Sequence, residues 1–399
     1  MLAKLELYAK LFHQEKGFSE NQLGGGTRLL LDYEALARQL LDVCIGVKQG
    51  NRVWINAWEQ DNDIASKLAW ECVKRGCEGL TTTQFEDVWL RSIVSAPADL
   101  VDNVPTHHAA ALRESDVYIF TLGPRTIPWD KISPERRHLV TRWFLEKNRY
   151  VQEWKAIAVG RKVKMLGIEA TLANPERAKT LGLDYDEWRR VMFEGCMADN
   201  ENMSVYAKIL AEWMGGNGNV NITTPHGTNF SFDLDSRPVD WFGGIVRDDW
   251  VDAGRPAFLP AGGIEVSLLE GSGNGTIVFD QPILSLFSEG RLEGLKLNVA
   301  KGRITDFSAS KNQEAFGRWM KSGAGDTDRL AFFGFGLNPK LRHGFTQDDK
   351  VLGGVTIGFG DNSDKAGKNR ADRGFWASMT EATVATDEKL VMRNGRLTA

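Results

Sequence analysis

The pattern of the sequence changes at a cluster of glycine and asparagine residues, residues 215–219. Before this cluster, apolar strand-like segments alternate with helical segments, and after it short segments of alternating or branched residues dominate. Alternation of strands and helices favours a mostly parallel sheet covered by helices, whereas successive short strands favour antiparallel sheets. A length of 399 residues also fits two domains better than one. We therefore predict an α/β plus α+β protein, with an N-terminal α/β domain over residues 1–214 and a β-rich domain over residues 215–399.

Individual elements can be predicted from hydrophobic periodicity and turn residues. In the first half, we predict strands at residues 52–57, 79–83, 115–122 and 162–168, a helix at 63–76, and two helices or one broken helix at 183–214. In the second half, we predict strands at residues 219–223, 229–234, 275–279, 294–300, 303–308, 351–359 and 382–392, and a helix at 312–322. Lys301-Gly302 and Asn394-Gly395 are predicted to be tight turns.

Composition excludes several classes of function. The formal net charge of -4 gives no strong attraction to nucleic acid or to anionic lipid. There is no run of about 18 apolar residues that would span a membrane. Residues 1–18 have the pattern of an amphipathic helix and lack the apolar core of a signal peptide. The four cysteines form no CxxC pair, so we expect reduced thiols in a cytoplasmic protein.

The histidines do not form a recognisable metal motif. None has the spacing of HExxH or of a His-x-Asp iron site. His107-His108 follows Pro105-Thr106 and is interpreted as the start of a helix. His226 lies in a turn that enters a strand, and His343 lies in a polar loop. For these last two, a structural or solvated role and a functional role both stay open.

Glu265 lies close to an apolar run and a pair of glycines, Gly262 and Gly263. In that setting it is either a buried general base or the solvent-facing residue of an alternating strand. The sequence alone leaves both readings open.

Several blocks of the sequence, in order along the chain, resemble metallopeptidases of the aminopeptidase T (thermophilic leucyl aminopeptidase) family. The blocks are residues 183–188, 227–232, 258–262 (FLPAG), 270–280 (EGSGNGTIVFD), 334–339 (GFGLNP), 349–353 (DKVLG), 358–363 (GFGDNS) and 387–397. The resemblance covers most of the chain from about residue 52 onward. It implies the two-domain fold of that family, a cleft between the domains, and a homodimer.

The positions that should hold metal depart from the family pattern. Members of the family bind two metal ions with carboxylates, histidines and a nearby tyrosine. The corresponding positions in this sequence are Gly263, Phe332, Thr356, Ser363, Gly374 and Trp376, and a one-residue shift of the last block would substitute Arg373, Phe375 and Ala377. The 2,5-dihydroxypyridine dioxygenases resemble the same fold, and their iron ligands would also fall on Phe332, Gly374 and Trp376. These residues offer no strong donors for a divalent cation, so we expect neither a metal site nor another cofactor.

The same substitutions can build a different kind of pocket. Phe332 and Trp376 would provide aromatic walls. Asn338, Thr356 and His343 would contact a substrate. Glu265, on the same strand face as Gly263, would act as general base, with His226 or Asp361 as a helper. The alternative is that these side chains fill the former cleft and leave it inactive.

Three classes of function therefore stay open. The first is a metal-independent hydrolase or lyase that acts on a small amide-like or ring compound. The second is a non-catalytic binding protein that keeps the family's dimer surface. The third is a metallo-aminopeptidase whose ligands the sequence comparison misplaces. The expected partners are a small-molecule substrate and a second copy of the chain, with no nucleic acid and no membrane.

Overall fold

A computed structural model describes residues 31–141, 148–284, 290–387 and 389–398. The amphipathic helix predicted for residues 1–18 lies outside the described residues. The helices are α1 (Tyr33–Arg38), α2 (Asn62–Lys74), α3 (Glu86–Ser95), α4 (Ala98–Val101), α5 (Thr106–Glu114), α6 (Arg137–Thr141), α7 (Arg149–Arg161), α8 (Pro175–Leu181), α9 (Tyr185–Cys196), α10 (Asn200–Met214), α11 (Asp248–Asp252) and α12 (Gln313–Lys321).

The strands form one parallel sheet and two antiparallel sheets. They are β1 (Arg52–Trp58), β2 (Glu78–Gln84), β3 (Val117–Thr121), β4 (Lys164–Ile168), β5 (Asn217–Thr223), β6 (Asn229–Asp235), β7 (Val239–Phe242), β8 (Ala257–Leu259), β9 (Gly263–Ser267), β10 (Asn274–Val278), β11 (Lys296–Ala300), β12 (Arg303–Ser308), β13 (Leu330–Gly336), β14 (Val355–Phe359), β15 (Phe375–Met379), β16 (Thr383–Thr386), β17 (Leu390–Arg393) and β18 (Arg396–Leu397). The α/β first half and the β-rich second half predicted from the sequence are both confirmed.

The parallel sheet has the strand order β2-β1-β3-β4-β8. Helix α2 shows how the sequence builds its cover, because Ile64, Leu68 and Cys72 recur every four residues and are all buried. The helix ends before Gly76, whose φ of 67° suits a residue without a Cβ. The fifth strand, β8, comes from the second half of the chain, so the parallel sheet continues past the boundary drawn at residue 215.

The eight-stranded antiparallel sheet has the order β12-β11-β10-β6-β5-β16-β17-β18. Strands β11 and β12 are joined by Lys301-Gly302, both with positive φ (50° and 71°), as predicted for a tight hairpin. The single strand predicted at residues 382–392 is wrong. It is two strands, β16 and β17, because the chain turns where Thr386 donates its N–H to the carbonyl of Lys389.

The five-stranded antiparallel sheet has the order β15-β14-β13-β9-β7. One of its faces is apolar and packs against the eight-stranded sheet, for example where Phe333 meets Phe232 with ring centroids 5.2 Å apart. Successive residues of a strand point to opposite faces. The residues that alternate with this core, including Glu265, Gly334 and Thr356, therefore share the second face of the same sheet. We call this second face the polar face.

The loop between β13 and β14 joins the two halves of the protein. Trp188 of α9 donates its indole N–H to the carbonyl of Phe345 at 3.2 Å, and Arg342 pairs with Glu187 at 2.9 Å. These contacts hold the loop, and the charged residues at its end, beside the polar face.

Candidate functional site

The polar face is built from rows of residues that lie opposite one another across the five-stranded antiparallel sheet. One row runs Glu265, Gly334, Thr356 and Ser378, and the next runs Ser267, Phe332, Gly358 and Trp376. Four residues that the sequence predicted for a pocket, Glu265, Phe332, Thr356 and Trp376, are therefore brought together by the register of four neighbouring strands.

Phe332 and Trp376 form an aromatic pair on this face. Their ring centroids are 6.4 Å apart and their planes are tilted by 51°. The ring of Phe332 lies over Gly358, where a Cβ atom would come within 2.1 Å of Phe332 Cε1, so only glycine fits there. Trp376 is 54% exposed, which leaves part of its indole free to contact a ligand.

Glu265 forms an ion pair beside the aromatic pair. Its Oε2 atom lies 3.3 Å from Nζ of Lys365, and the ammonium group also lies 5.2 Å from the centre of the Phe332 ring. Burial by itself lowers the pKa of Lys365, but Glu265 and Asp364 outweigh burial and the net shift is upward. Lys365 is thus a fixed cation, and Glu265 is a carboxylate with a partner.

A second charged group stands at the end of the β13–β14 loop. Lys350 is 8% exposed, with Nζ 2.5 Å from Oε2 of Glu169 and 3.0 Å from the carbonyl oxygen of Pro260. The neighbouring residue is Asp349, whose pKa is raised to about 7. Burial is the main cause of that shift, the charges of Glu265 and Glu169 add to it, and Lys350 opposes it. A carboxyl group that titrates near neutral pH can accept and release protons.

His343 also lies on the polar face. A Cβ atom at Gly354, which immediately precedes β14, would lie 2.9 Å from Cε1 of His343. Gly354 and Thr356 are two residues apart and point to the same side of the sheet. The Nδ1 atom of His343 is 3.4 Å from Oδ1 of Asp348, so a carboxylate lies beside the imidazole. His343 lies in a loop, as predicted, and its side chain is partly buried.

Thr356 and Ser378 form a buried hydroxyl pair. Their oxygen atoms are 2.8 Å apart, and both residues are almost fully buried (1% and 2% exposed). Their hydroxyl groups therefore bond to each other, and little of either side chain is exposed for contact with a ligand.

His226 is in a different place. It lies in the β5–β6 turn at the eight-stranded sheet, where its Nε2 atom is 3.2 Å from Oε2 of Glu381 and 3.9 Å from Oδ2 of Asp280. Glu265 instead pairs with Lys365. The structure therefore does not place His226 as a partner of Glu265.

Asn338 and Asp361 have structural contacts. Asn338 is fully buried; it donates to the carbonyls of Gly195 (2.9 Å) and Ala261 (2.7 Å) and accepts from the N–H of Lys340 (3.0 Å). Both amide N–H groups are thus already used. Asp361 is exposed and accepts from the N–H and hydroxyl of Ser363, which shapes the loop that carries Lys365.

Sequence reasoning missed Glu169, Asp349, Lys350 and Lys365. Asp349-Lys350 stands inside one of the blocks that carry the family resemblance, which was an available signal. Adjacent opposite charges are usually a solvated pair, and nothing in the sequence indicates that these two are surrounded by protein. Glu169 directly follows β4, at the edge of a parallel sheet where ligands commonly bind, and this position could have singled it out.

The donor set does not fit the metal ions that the resemblance implies. Among the described residues, no group of three or more His, Cys, Asp or Glu side chains is placed to hold a metal ion. At the polar face, the positions that the family resemblance aligns with metal ligands hold Gly263, Phe332, Thr356 and Trp376, which lack carboxylate or imidazole donors.

Comparisons with known proteins agree with this fold. The model of a family described as NicX, 2,5-dihydroxypyridine 5,6-dioxygenase, matches residues 196–399, slightly more than half of the chain. The chain belongs to this family. No curated protein matches the sequence.

Two solved structures share the fold. AmpT from Thermus thermophilus superposes with a TM-score of 0.68 at 16% identity, covering 92% of this chain and 99% of AmpT. The 2,5-dihydroxypyridine dioxygenase from Pseudomonas putida KT2440 superposes with a TM-score of 0.61 at 15% identity, covering 92% of this chain and 97% of that chain. At these identities the likeness defines the fold and leaves the chemistry to the residues of this chain.

Proposed function

We propose that this protein is an enzyme that uses acid–base chemistry, without a bound metal ion, on a small amide-like or ring compound. The reaction class is a hydrolysis or an elimination. The single observation that carries the proposal is the position of Asp349, a carboxyl group with a pKa raised to about 7, next to a face that bears Glu265, Lys365 and an aromatic pair. A proton-transfer group works best when its pKa is close to the working pH.

The roles differ from those expected from the sequence. Asp349 is the better general base, because Glu265 is paired with Lys365. The ammonium group of Lys365 can stabilise negative charge that develops on a substrate oxygen. Trp376, with half of its surface exposed, would stack on a planar group. Neither His226 nor Asp361 is needed as a helper in this scheme.

A non-catalytic binding protein is the second candidate, and one observation favours it. Two surface depressions of the described residues, of about 400 and 410 Å³, lie at residues 87–96 and 309–318. Neither is lined by the polar face. On the polar face itself, Trp376 is 54% exposed, and an exposed aromatic side chain suits contact with a protein or peptide.

The remaining expectations stay part of the proposal. The family resemblance supports a homodimer, and the cysteine pattern supports a reducing, cytoplasmic environment. Cys44, Cys72, Cys77 and Cys196 are all free thiols in the structure. No helix among the described residues is long and apolar enough to cross a membrane.

The first test is the metal content of the purified protein, measured by elemental mass spectrometry after growth with zinc, iron, manganese and cobalt. We expect far less than one equivalent of any of them. Near-stoichiometric metal would overturn metal independence and revive the metallo-aminopeptidase.

The second test is turnover of a library of small amides and ring compounds, followed by mass spectrometry. We expect chelator-resistant turnover that Asp349→Asn lowers by roughly 100-fold or more, the usual contribution of a general base. Glu314→Gln is the matched control, since the Glu314 side chain is 96% exposed at the protein surface. Turnover that survives Asp349→Asn unchanged would remove Asp349 from the mechanism. Binding without turnover would favour the second candidate.

A further inference from the structure

A separate group of polar residues lies at the carboxyl edge of the parallel sheet. In the strand order β2-β1-β3-β4-β8, the connection that leaves β1 runs to β2 on one side, and the connection that leaves β3 runs to β4 on the other side. In open parallel sheets, the connections on the two sides of such a point leave in opposite directions, and the crevice between them is where ligands bind. Here the crevice is bordered by residues 59–61 after β1 and by residues 121–125 after β3.

Direct contacts hold the two borders of this crevice together. Gln60 donates its Nε2–H to the carbonyl of Gly123 at 3.1 Å, and Arg125 pairs with Glu59 at 3.1 Å. The backbone N–H of Trp58 donates to the hydroxyl of Thr121 at 2.9 Å. The crevice therefore has fixed walls rather than loose loops.

Two buried acceptor atoms in the crevice lack a donor. Asp61 is 8% exposed; the hydroxyl of Thr121 is a hydrogen-bond partner of its carboxyl group, but its Oδ2 atom has none among the described residues. The same holds for Oε1 of Gln60. An unsatisfied buried acceptor is unfavourable, and more so when it is charged, so a donor from outside the chain is expected at both atoms.

A positively charged side chain, Arg177, also lies close to these acceptors. Arg177 of α8 donates from Nε and Nη2 to the carbonyls of Arg125 (2.9 Å) and Pro124 (2.8 Å). It forms no ion pair with a carboxylate in the part of the chain that the structure describes. Burial lowers its pKa, and Asp61 and Glu86 act on it only at longer range. Asp61, at 8% exposed, and the partly buried Arg177 thus form no direct ion pair with each other among the described residues.

We infer that this crevice binds a small zwitterion, a molecule with an ammonium group and a carboxylate such as a free amino acid. The ammonium group, with three N–H donors, would satisfy Asp61 Oδ2 and Gln60 Oε1 together, which a single hydroxyl group could not. The carboxylate would accept from Arg177. Phosphate fits less well, because Glu59, Asp61 and Glu86 would repel a doubly charged anion.

Binding of defined probes tests the inference on the full-length protein. The probes are glycine, β-alanine and γ-aminobutyrate, which differ in charge spacing, with acetate and methylammonium as compounds that each lack one charged group. Isothermal titration calorimetry and saturation-transfer NMR report binding. We expect at least one zwitterion to bind roughly tenfold or more tightly than acetate or methylammonium, since each of these lacks one of the two charge-assisted contacts.

Variants connect that binding to the crevice. Asp61→Asn removes the charge with almost no change of shape, whereas Gln60→Met removes the second acceptor together with the Nε2–H contact to Gly123 and leaves Asp61 in place. Each should weaken the binding of the preferred zwitterion by about tenfold or more, while Glu314→Gln on α12 should leave its affinity unchanged. Circular dichroism confirms that each variant is folded.

Several outcomes would overturn the inference. One is that no zwitterion binds the wild-type protein. Another is that Asp61→Asn and Gln60→Met both bind it normally, which would move the site elsewhere. A third is a crystal structure with the probe present in which only water bridges Asp61 and Gln60.

Discussion

Lys350 of the β-rich half and Glu169 of the α/β half meet with Nζ and Oε2 atoms 2.5 Å apart, at a point where Lys350 is 8% exposed. This ion pair, buried on the Lys350 side and partly buried on the Glu169 side, crosses from one half of the chain to the other. It fixes the end of the β13–β14 loop and with it the carboxyl group of Asp349. The stability of the fold and the geometry of the proposed site therefore depend on the same contact.

Lys350→Met should be strongly destabilising. It leaves Glu169, whose side chain is 20% exposed, as a partly buried charge without its partner, and the loss should approach the roughly 3–5 kcal/mol typical of breaking a buried pair. The double variant Lys350→Met/Glu169→Leu should recover much of that loss, because no isolated charge remains. Urea unfolding followed by circular dichroism measures both.

The matched control for this ion pair is Lys162→Met. Lys162 pairs with Asp252 at 3.2 Å, but the side chains are 75% and 60% exposed. Exposed ion pairs contribute about 0–1 kcal/mol to the free energy of unfolding, so the stability of Lys162→Met should be close to that of wild type. Equal losses in Lys350→Met and Lys162→Met would contradict the assignment of the Lys350 pair as buried.

Asp349 makes the free energy of unfolding depend on pH near neutrality. Its pKa is raised from the usual value of 3.8 to about 7 in the folded protein, so the folded state binds a proton that the unfolded state has released. The associated stability is fully present below about pH 4 and is lost as pH rises through 7. Asp349→Asn keeps a neutral side chain and should be more stable than wild type at pH 8 by up to about 4 kcal/mol, at about 1.4 kcal/mol per pKa unit.

The comparison must isolate Asp349, since burial also raises the pKa of Asp61 to about 7. Unfolding curves for wild type and Asp349→Asn at several values between pH 4 and 8 give the difference, in which the Asp61 contribution cancels. Asp252→Asn changes an exposed side chain, so its free energy of unfolding should depend on pH in the same way as that of wild type. Parallel curves for Asp349→Asn as well would show that Asp349 titrates normally.

Glu270 should control the acid limit of stability. It forms a buried pair with Arg237, with Oε1 2.7 Å from Nη1, and accepts from Asn362 and from the N–H of Lys368. Burial raises its pKa, but these partners outweigh burial and lower it from 4.5 to about 2. The stability that ionised Glu270 contributes is present above about pH 4.5 and is lost as pH falls toward 2.

Glu270→Gln should therefore lower the free energy of unfolding by on the order of 3 kcal/mol at pH 7. Its stability should also change less between about pH 2 and 4.5 than that of wild type. Acid titration followed by tryptophan fluorescence measures this profile. An unchanged acid midpoint would mean that another carboxylate sets the limit.

Gly358 should tolerate alanine poorly because of Phe332. A Cβ atom at Gly358 would lie 2.1 Å from Cε1 of Phe332, so Gly358→Ala must displace the ring and should cost about 1–3 kcal/mol. Adding Phe332→Ala removes the obstruction, and we expect the combined loss to be smaller than the sum of the two single losses. Urea unfolding of the four proteins in this cycle measures the coupling.

Gly160 provides the control for that substitution. It lies in helix α7, and no other atom lies within 4 Å of the position that a Cβ atom would take there. Gly160→Ala should therefore be neutral or stabilising by about 0.5–1 kcal/mol. Strict additivity of Gly358→Ala and Phe332→Ala would mean that the two residues do not touch.

Much of the fold follows from local sequence signals. The strand at residues 52–57 and the helix at 63–76 were predicted close to their observed bounds because their periodicity and flanking glycines are local properties. The Lys301-Gly302 turn was predicted for the same reason. Strand β8 escaped prediction, because three residues are too short for a period and only pairing with β4 makes them a strand.

The candidate site divides in the same way. The sequence by itself determined the residue types, so Phe332, Thr356 and Trp376, which the family resemblance aligns with metal ligands, carry no carboxylate or imidazole donor. Only the tertiary structure decided which polar residues join them. Sheet register placed Glu265 on the same face and sent His226 to another sheet. Burial, which no local pattern encodes, raised the pKa of Asp349 and joined Lys350 to Glu169 across the two halves of the chain. Periodicity fixes which face a side chain takes, but only long-range packing fixes what that face meets.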